Sequence, residues 1–279
     1  MPFAFEKHRI AGLSGWIAFT AILLSVMAGA GYSSLQGLSG IAFWSAGILL
    51  AWRLQGLQRI QTALMLLVGS AGIVFAMRLG HAPDWVQIFS TNSALLAMLA
   101  SVSFLRLISL PAARPDERDP TGPGALLRTL LGVHLFGAVI NLSAVMILGD
   151  RQTRHAAMTP LQAATLSRGF ALASHWSPFF AAMGIAISHA PGAQLAVLSA
   201  VGLPLALFGL LLSAWQLTRR PDIDRYIGYP LHFEALWIPA LLALVVMTTH
   251  HAMPLLPVLT VISAAALLLT FAVLWWRVG

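Results

Sequence analysis

Nine apolar stretches, each near the length that crosses a lipid bilayer, dominate the chain: residues 10–32, 35–52, 60–77, 93–110, 125–149, 161–190, 193–217, 231–249 and 254–276. A hydrocarbon core of about 30 Å takes about 20 helical residues. Turn and charge clusters separate the runs at Gly80 to Asp84, Pro111 to Gly124, Asp150 to Pro160 and Arg219 to Pro230. Only 9% of the 279 residues are charged and the mean hydropathy is +0.83, against about 25% charged in an ordinary soluble domain. These features predict an all-α polytopic membrane protein, a single integral membrane domain over 1–279. It divides into four scaffold-like helices over 10–110, a more irregular section over 125–217 and two further helices over 231–276. The net charge of +7 comes from sixteen Lys and Arg spread over short loops. That spread is a topology signal rather than a nucleic-acid patch. With no cysteine, disulfides, thiolate metal sites, thioether-linked haem and thiol nucleophiles are excluded.

Lys7 and Arg9 place the N-terminus in the cytoplasm by the positive-inside rule, and the expected location is the inner membrane of a bacterium. The first run also fits a secretory signal, with Ala28-Gly29-Ala30 as a cleavage site; an uncleaved first helix does the same job. Arg53, Arg59, Arg114 and Arg118 then fall inside. If every later run crossed fully, Arg151, Arg154, Arg219, Arg220, Arg225 and Arg277 would all lie outside. Making run 125–149 re-entrant returns all six to the cytoplasm. The expectation is therefore about eight transmembrane helices plus one re-entrant hairpin, with limbs of about 12 residues and Gly137, Asn141 and Ser143 at the turn. A non-helical tip at that depth needs protein or a water-filled cavity around it. One long tilted helix with a polar stripe is the competing reading of the same run.

The second irregularity is Ser174-His175-Trp176-Ser177-Pro178, at the centre of run 161–190. Proline removes a donor and crowds the preceding turn. Ser177 and Pro178 also read as an N-cap and first position of a new helix, giving one broken helix, with half-helices over 161–174 and 179–189. The second half would present free N–H groups and a positive dipole end to an anion. A continuous Pro-kinked helix is the alternative. Of nine histidines, only His134 and His175 lie deep in a run, where they are either packing residues bonded to carbonyls or an ionisable pair. Arg168 could grip a carboxylate or snorkel to headgroups. No nucleophile–base pair, phosphate loop or paired carboxylate stands out, so an enzyme is not expected.

The succession of three helices, a fourth, a hairpin with a polar tip, a helix broken at a Ser/Pro step and another helix resembles one repeat of the ion transporter superfamily. That superfamily includes divalent anion–sodium symporters and arsenite and citrate permeases. The resemblance covers residues 10–217, and Asn141-Leu142-Ser143 is a loose relative of the Ser-Asn-Thr type tip motif. It implies that Asn141 and Ser143 coordinate a coupling cation or substrate and that Ser174 to Ser177 line the other side. Family members carry two inverted repeats and this chain stops two helices into the second, which implies a homo- or hetero-oligomer supplying the rest.

The leading expectation is a transporter or half-transporter for a small anion, a carboxylate or oxyanion, bound at the midplane. The candidate binding residues are Gly137, Asn141, Ser143, Ser174, His175, Ser177, Arg168 and His134. No cofactor is expected. Sodium held by carbonyls, Asn and Ser, or protons carried by His134 or His175, would couple transport. Membrane lipids are the other partner, and nucleic acid is not one. Two other classes compete: a non-transporting membrane subunit without a site, and a haem-binding electron carrier using His134 and His175.

Overall fold

The computed structural model describes residues 2–109, 119–153, 156–190, 192–229 and 237–278. Arg114, Arg118, Arg154, His155 and His232 lie outside the described residues. Nearly everything described is helix: α1 (Pro2–Gly29), α2 (Gln36–Leu50), α3 (Gly56–Arg78), α4 (Trp85–Ser90), α5 (Ser93–Phe104), α6 (Arg106–Ser109), α7 (Gly122–Ile140), α8 (Leu142–Gln152), α9 (Pro160–Ala173), α10 (Ala181–His189), α11 (Leu195–Leu217), α12 (Trp237–Ala252) and α13 (Val258–Val278). Among the described residues, seven stretches are long and apolar enough to cross a membrane. They are Ile10–Gly29, Ser33–Arg53, Gly56–Arg78, Trp85–Ile108, Gly122–Ile140, Leu195–Leu217 and Val258–Arg277, with Trp237–Ala252 a shorter apolar helix. The pattern fits a helical membrane protein.

The chain forms two compact units, 1–97 and 98–279. In the first, α1 packs along α2, and Ser39 Oγ donates to the Ala21 carbonyl at 2.9 Å. Gly40 lets the α4 backbone at Phe89 and Ser90 sit against α2, where Trp44 meets the Phe89 ring edge-on at 5.9 Å. The helix α3 displays Leu57, Ile60, Leu64, Leu67 and Phe75, as a lipid-facing surface does.

The second unit is built around α7, of whose residues Leu126, Thr129, Val133, His134, Phe136, Gly137 and Ile140 are among the buried. Thr121 in extended conformation precedes it, and Pro123 supplies the preset φ of a first turn. At Asn141, with φ +57°, the helix stops. The next helix, α8, runs back along α7, since Val133 and Leu148 share a cluster with Leu166 and Tyr229. The chain then enters α9 through a capping box, Thr159 with Gln162, and Pro160 at the first turn. Thus α9 lies parallel to α7: Leu126 is beside Leu161, and Ala138 beside Ala173. Gly169 faces Val133 and the Leu130 carbonyl so closely that no side chain fits between the helices. The helix α11 runs antiparallel to α9, with Gly209 against Leu172 and Gly202 against the His175 carbonyl.

One difference from the sequence expectation has a local cause. The turn in run 125–149 falls at Asn141, so its limbs are 19 and 11 residues long instead of equal. The first limb gains length because Thr121 and Pro123 start it ahead of the apolar run. Run 161–190 is broken as expected, into 14 and 9 residues, about 21 and 14 Å, neither long enough to span alone.

Candidate functional site

The two helix interruptions lie side by side. Residues 174–180 form turns between α9 and α10, next to the Asn141 turn between α7 and α8. Asn141 is the sole non-glycine with positive φ among the described residues, a conformation Asn tolerates through local side-chain bonding. Its Oδ1 accepts from the Leu142 N–H at 3.0 Å and its Nδ2 donates to the Phe179 carbonyl at 3.1 Å. Ser177, fully buried, answers in the other direction: its Oγ donates to the Ala138 carbonyl and accepts the Phe179 N–H. Each turn thus satisfies backbone groups that the other leaves open.

Ser177 therefore does not cap α10. That helix starts at Ala181, with Phe180 in the cap position and no side-chain cap bond. Pro178 is spent inside the turn, and Ser177 is drawn away to α7.

His134 sits one turn before Ala138 on α7, 3% exposed. Its Nδ1 lies 3.1 Å from the Gly169 carbonyl, and the Trp176 Nε1–H donates to its Nε2 at 3.1 Å. Indole N–H can only donate, so Nε2 carries the lone pair and Nδ1 carries the proton. The packing-histidine reading fits this geometry. Haem ligation through Nε2 would compete with Trp176 for that lone pair, and among the described residues no group of three His, Asp or Glu side chains converges on a metal position.

The structure separates the remaining candidates. Gly137 is where the Phe170 ring crosses α7, and a Cβ there would meet that ring. Ser174 Oγ donates to the Ala171 carbonyl at 2.7 Å and His175, exposed, keeps Nδ1 near the Leu172 carbonyl, both bonds within their own turn. Arg168 is exposed and donates to Gln216 Oε1 of α11 at 2.8 Å, away from the paired breaks. Ser143 occupies the first turn of α8; its side chain lies outside the described ones.

Sequence reasoning missed two features. One is the role of Trp176, whose side chain reaches α7 while its carbonyl accepts from Ser199 of α11 at 2.8 Å. The other is a buried polar cluster at the open end of the hairpin. There Arg151, 6% exposed, pairs with Asp119 at 3.1 Å and lies over the Tyr229 ring. Gln152 donates to the Tyr226 hydroxyl, and both Gln152 and Gln162 donate to the Ile227 carbonyl. Thr129 Oγ1 accepts from the Tyr229 N–H at 2.7 Å, while Gly122 N–H donates to the Tyr226 carbonyl and Gly228 N–H to that of Pro120. Burial raises the Tyr226 phenol above its ordinary value, partly offset by hydrogen bonds with Thr129, Thr165 and Gln152, so it stays protonated at neutral pH. The signal in the sequence was Thr159-Pro160-Leu161-Gln162, a capping-box pattern placing Gln162 on a helix start.

The sequence matches no protein-family model, no curated protein and no solved structure.

Proposed function

We propose that the chain is a multi-pass membrane transporter, or half of one, for a small carboxylate or inorganic oxyanion. It sits in a bacterial inner membrane with a cytoplasmic N-terminus and is coupled to sodium or protons. The observation that carries this reading is the meeting of two helix interruptions on parallel helices, stitched by Asn141 to Phe179 and Ser177 to Ala138. Interrupted backbone at membrane depth is tolerated where protein buries it or it lines a water-filled cavity, and transporters place their binding sites at such helix breaks. Exposed Arg128 marks a polar position near the start of α7. From it Asn141 lies about 20 Å along the helix, inside a core of about 30 Å. On this reading α7 and α8 form a re-entrant hairpin. The uncapped first turn of α10 offers N–H groups and a positive dipole end to an anion. A second copy or another subunit supplies the matching repeat.

Reconstituted vesicles offered labelled carboxylates and oxyanions test this directly. Asn141→Gly keeps the backbone freedom and removes the amide; combined with Ser143→Ala it abolishes uptake while insertion and monodispersity persist. Unchanged uptake removes the site, and no uptake of any anion by the unaltered chain removes the transporter reading in favour of a non-transporting subunit.

A further inference from the structure

The transporter reading leaves the coupling ion open between sodium and protons, and the environment of His134 bears on that choice. Its imidazole joins two helices and a turn: it sits on α7, holds the α9 backbone through Gly169 and accepts the Trp176 N–H from the turn between α9 and α10. Trp176 is the hub of that turn, because its carbonyl is also held by Ser199 of α11. The Trp176 indole lies 5.9 Å from the imidazole, centroid to centroid, tilted by 40°.

Resting on that reading, we propose that His134 is the coupling-proton site, and that a proton arriving at Nε2 expels the Trp176 indole and loosens the broken turn at residues 175 and 176. The chemistry is forced by donor count. Neutral imidazole offers one lone pair, and here Trp176 uses it; imidazolium offers none and points a second N–H at the indole N–H. Nδ1–H still donates to Gly169, so α7 and α9 stay joined while the indole loses its bond to α7, and the turn is left with Ser177 on Ala138, Asn141 on Phe179 and Ser199 on the Trp176 carbonyl. The proton is bound and later returned unchanged, and no bond other than N–H forms or breaks.

The other ionisable groups on the packed elements do not occupy this position. On α9, Arg168 is bonded to Gln216, and on α8, Arg151 is held at Asp119 while Asp150 is exposed. In the 223–229 segment Asp224 and Arg225 are exposed, the Tyr226 hydroxyl meets Gln152, and Tyr229 lies under Arg151. The described part of α12 carries His250 and His251 in its last turn, and α11 carries no titratable side chain. His175, on the turn itself, is exposed and keeps Nδ1 near the Leu172 carbonyl.

The chain has no cysteine, so His175→Cys both removes that neighbour and provides one attachment point for a nitroxide on the exposed side of the turn. The mobile component of its electron paramagnetic resonance spectrum should grow about fivefold between about pH 8 and about pH 5. In a His134→Gln background, where the amide accepts from Trp176 and donates to Gly169 without titrating, the label stays immobile at both pH values. Trp176→Phe keeps the ring but removes the N–H, and should be mobile throughout. A flat spectrum with His134 present overturns the proposal, as does a pH response that survives His134→Gln or an immobile label in Trp176→Phe at high pH. Uptake is scored separately: a pH-responsive turn in a chain that moves no anion supports the proton site and removes the transporter reading, whereas uptake with a flat spectrum removes the proton site alone.

Discussion

Gly202→Ala is expected to cost at least about 3 kcal/mol, the top of the usual overpacking range. The reason is what the new methyl group meets. A Cβ at position 202 falls on the His175 carbonyl and within 3.3 Å of Trp176 Cα, all of it backbone that cannot rotate away. The turn between α9 and α10 would have to lift off α11. Ser199 would lose the Trp176 carbonyl, and the links from Trp176 to His134 and from Ser177 to Ala138 would stretch with it. Gly209→Ala on the same helix is the control. There the methyl meets only the Leu172 side chain, which can change rotamer, so the cost should stay below about 1.5 kcal/mol. Thermal unfolding in detergent compares the two, and equal midpoints would show that α11 does not hold the broken turn.

Arg151→Met should cost about 3 kcal/mol, because removing one partner of a buried pair strands the other. The guanidinium is nearly enclosed, pairs with Asp119 and covers the Tyr229 ring. It therefore ties the far end of α8 to the start of α7. The double change Arg151→Met with Asp119→Asn should recover at least about 1 kcal/mol of that loss, since no carboxylate is then left unpaired. A double variant as unstable as the single one would place the stabilisation in packing of the arginine stem instead of in the ion pair.

The contrast between these two regions explains how much could be read in advance. Both helix breaks were legible because each depends on local chemistry. Asn141 interrupts an apolar run with a residue that tolerates positive φ, and Pro178 forbids regular helix around Ser177. Their meeting was anticipated only from the order of elements, whereas the atoms that join them were not. Asn141 to Phe179, Ser177 to Ala138 and His134 to Trp176 each connect residues about 40 positions apart, and single-sequence patterns carry no information on such pairs. The same limit misled the reading of Ser177 as an N-cap: the local motif was right for capping, but a carbonyl on α7 competed for the hydroxyl. Arg168 had two readings because a lone arginine two turns into a helix can serve an anion or the headgroups; in the structure it is exposed and bonded to Gln216 of α11. Of the buried polar cluster, Asp119, Arg151, Gln152 and Tyr226 lay in the turn and charge clusters between runs, with Gln162 at the start of run 161–190. Charged and amide side chains ordinarily mark exposure, and only the return of α8 to the start of α7 encloses them.

The proposed site exists only if the chain turns back at Asn141. In the cysteine-free background, Thr121→Cys, Thr153→Cys and Asp222→Cys can each be treated with an impermeant thiol reagent in right-side-out and inverted vesicles. The account predicts that all three react from the same side of the membrane. Labelling of Thr153→Cys from the side opposite to Thr121→Cys would contradict it, because α7 and α8 would then cross the bilayer together as one span.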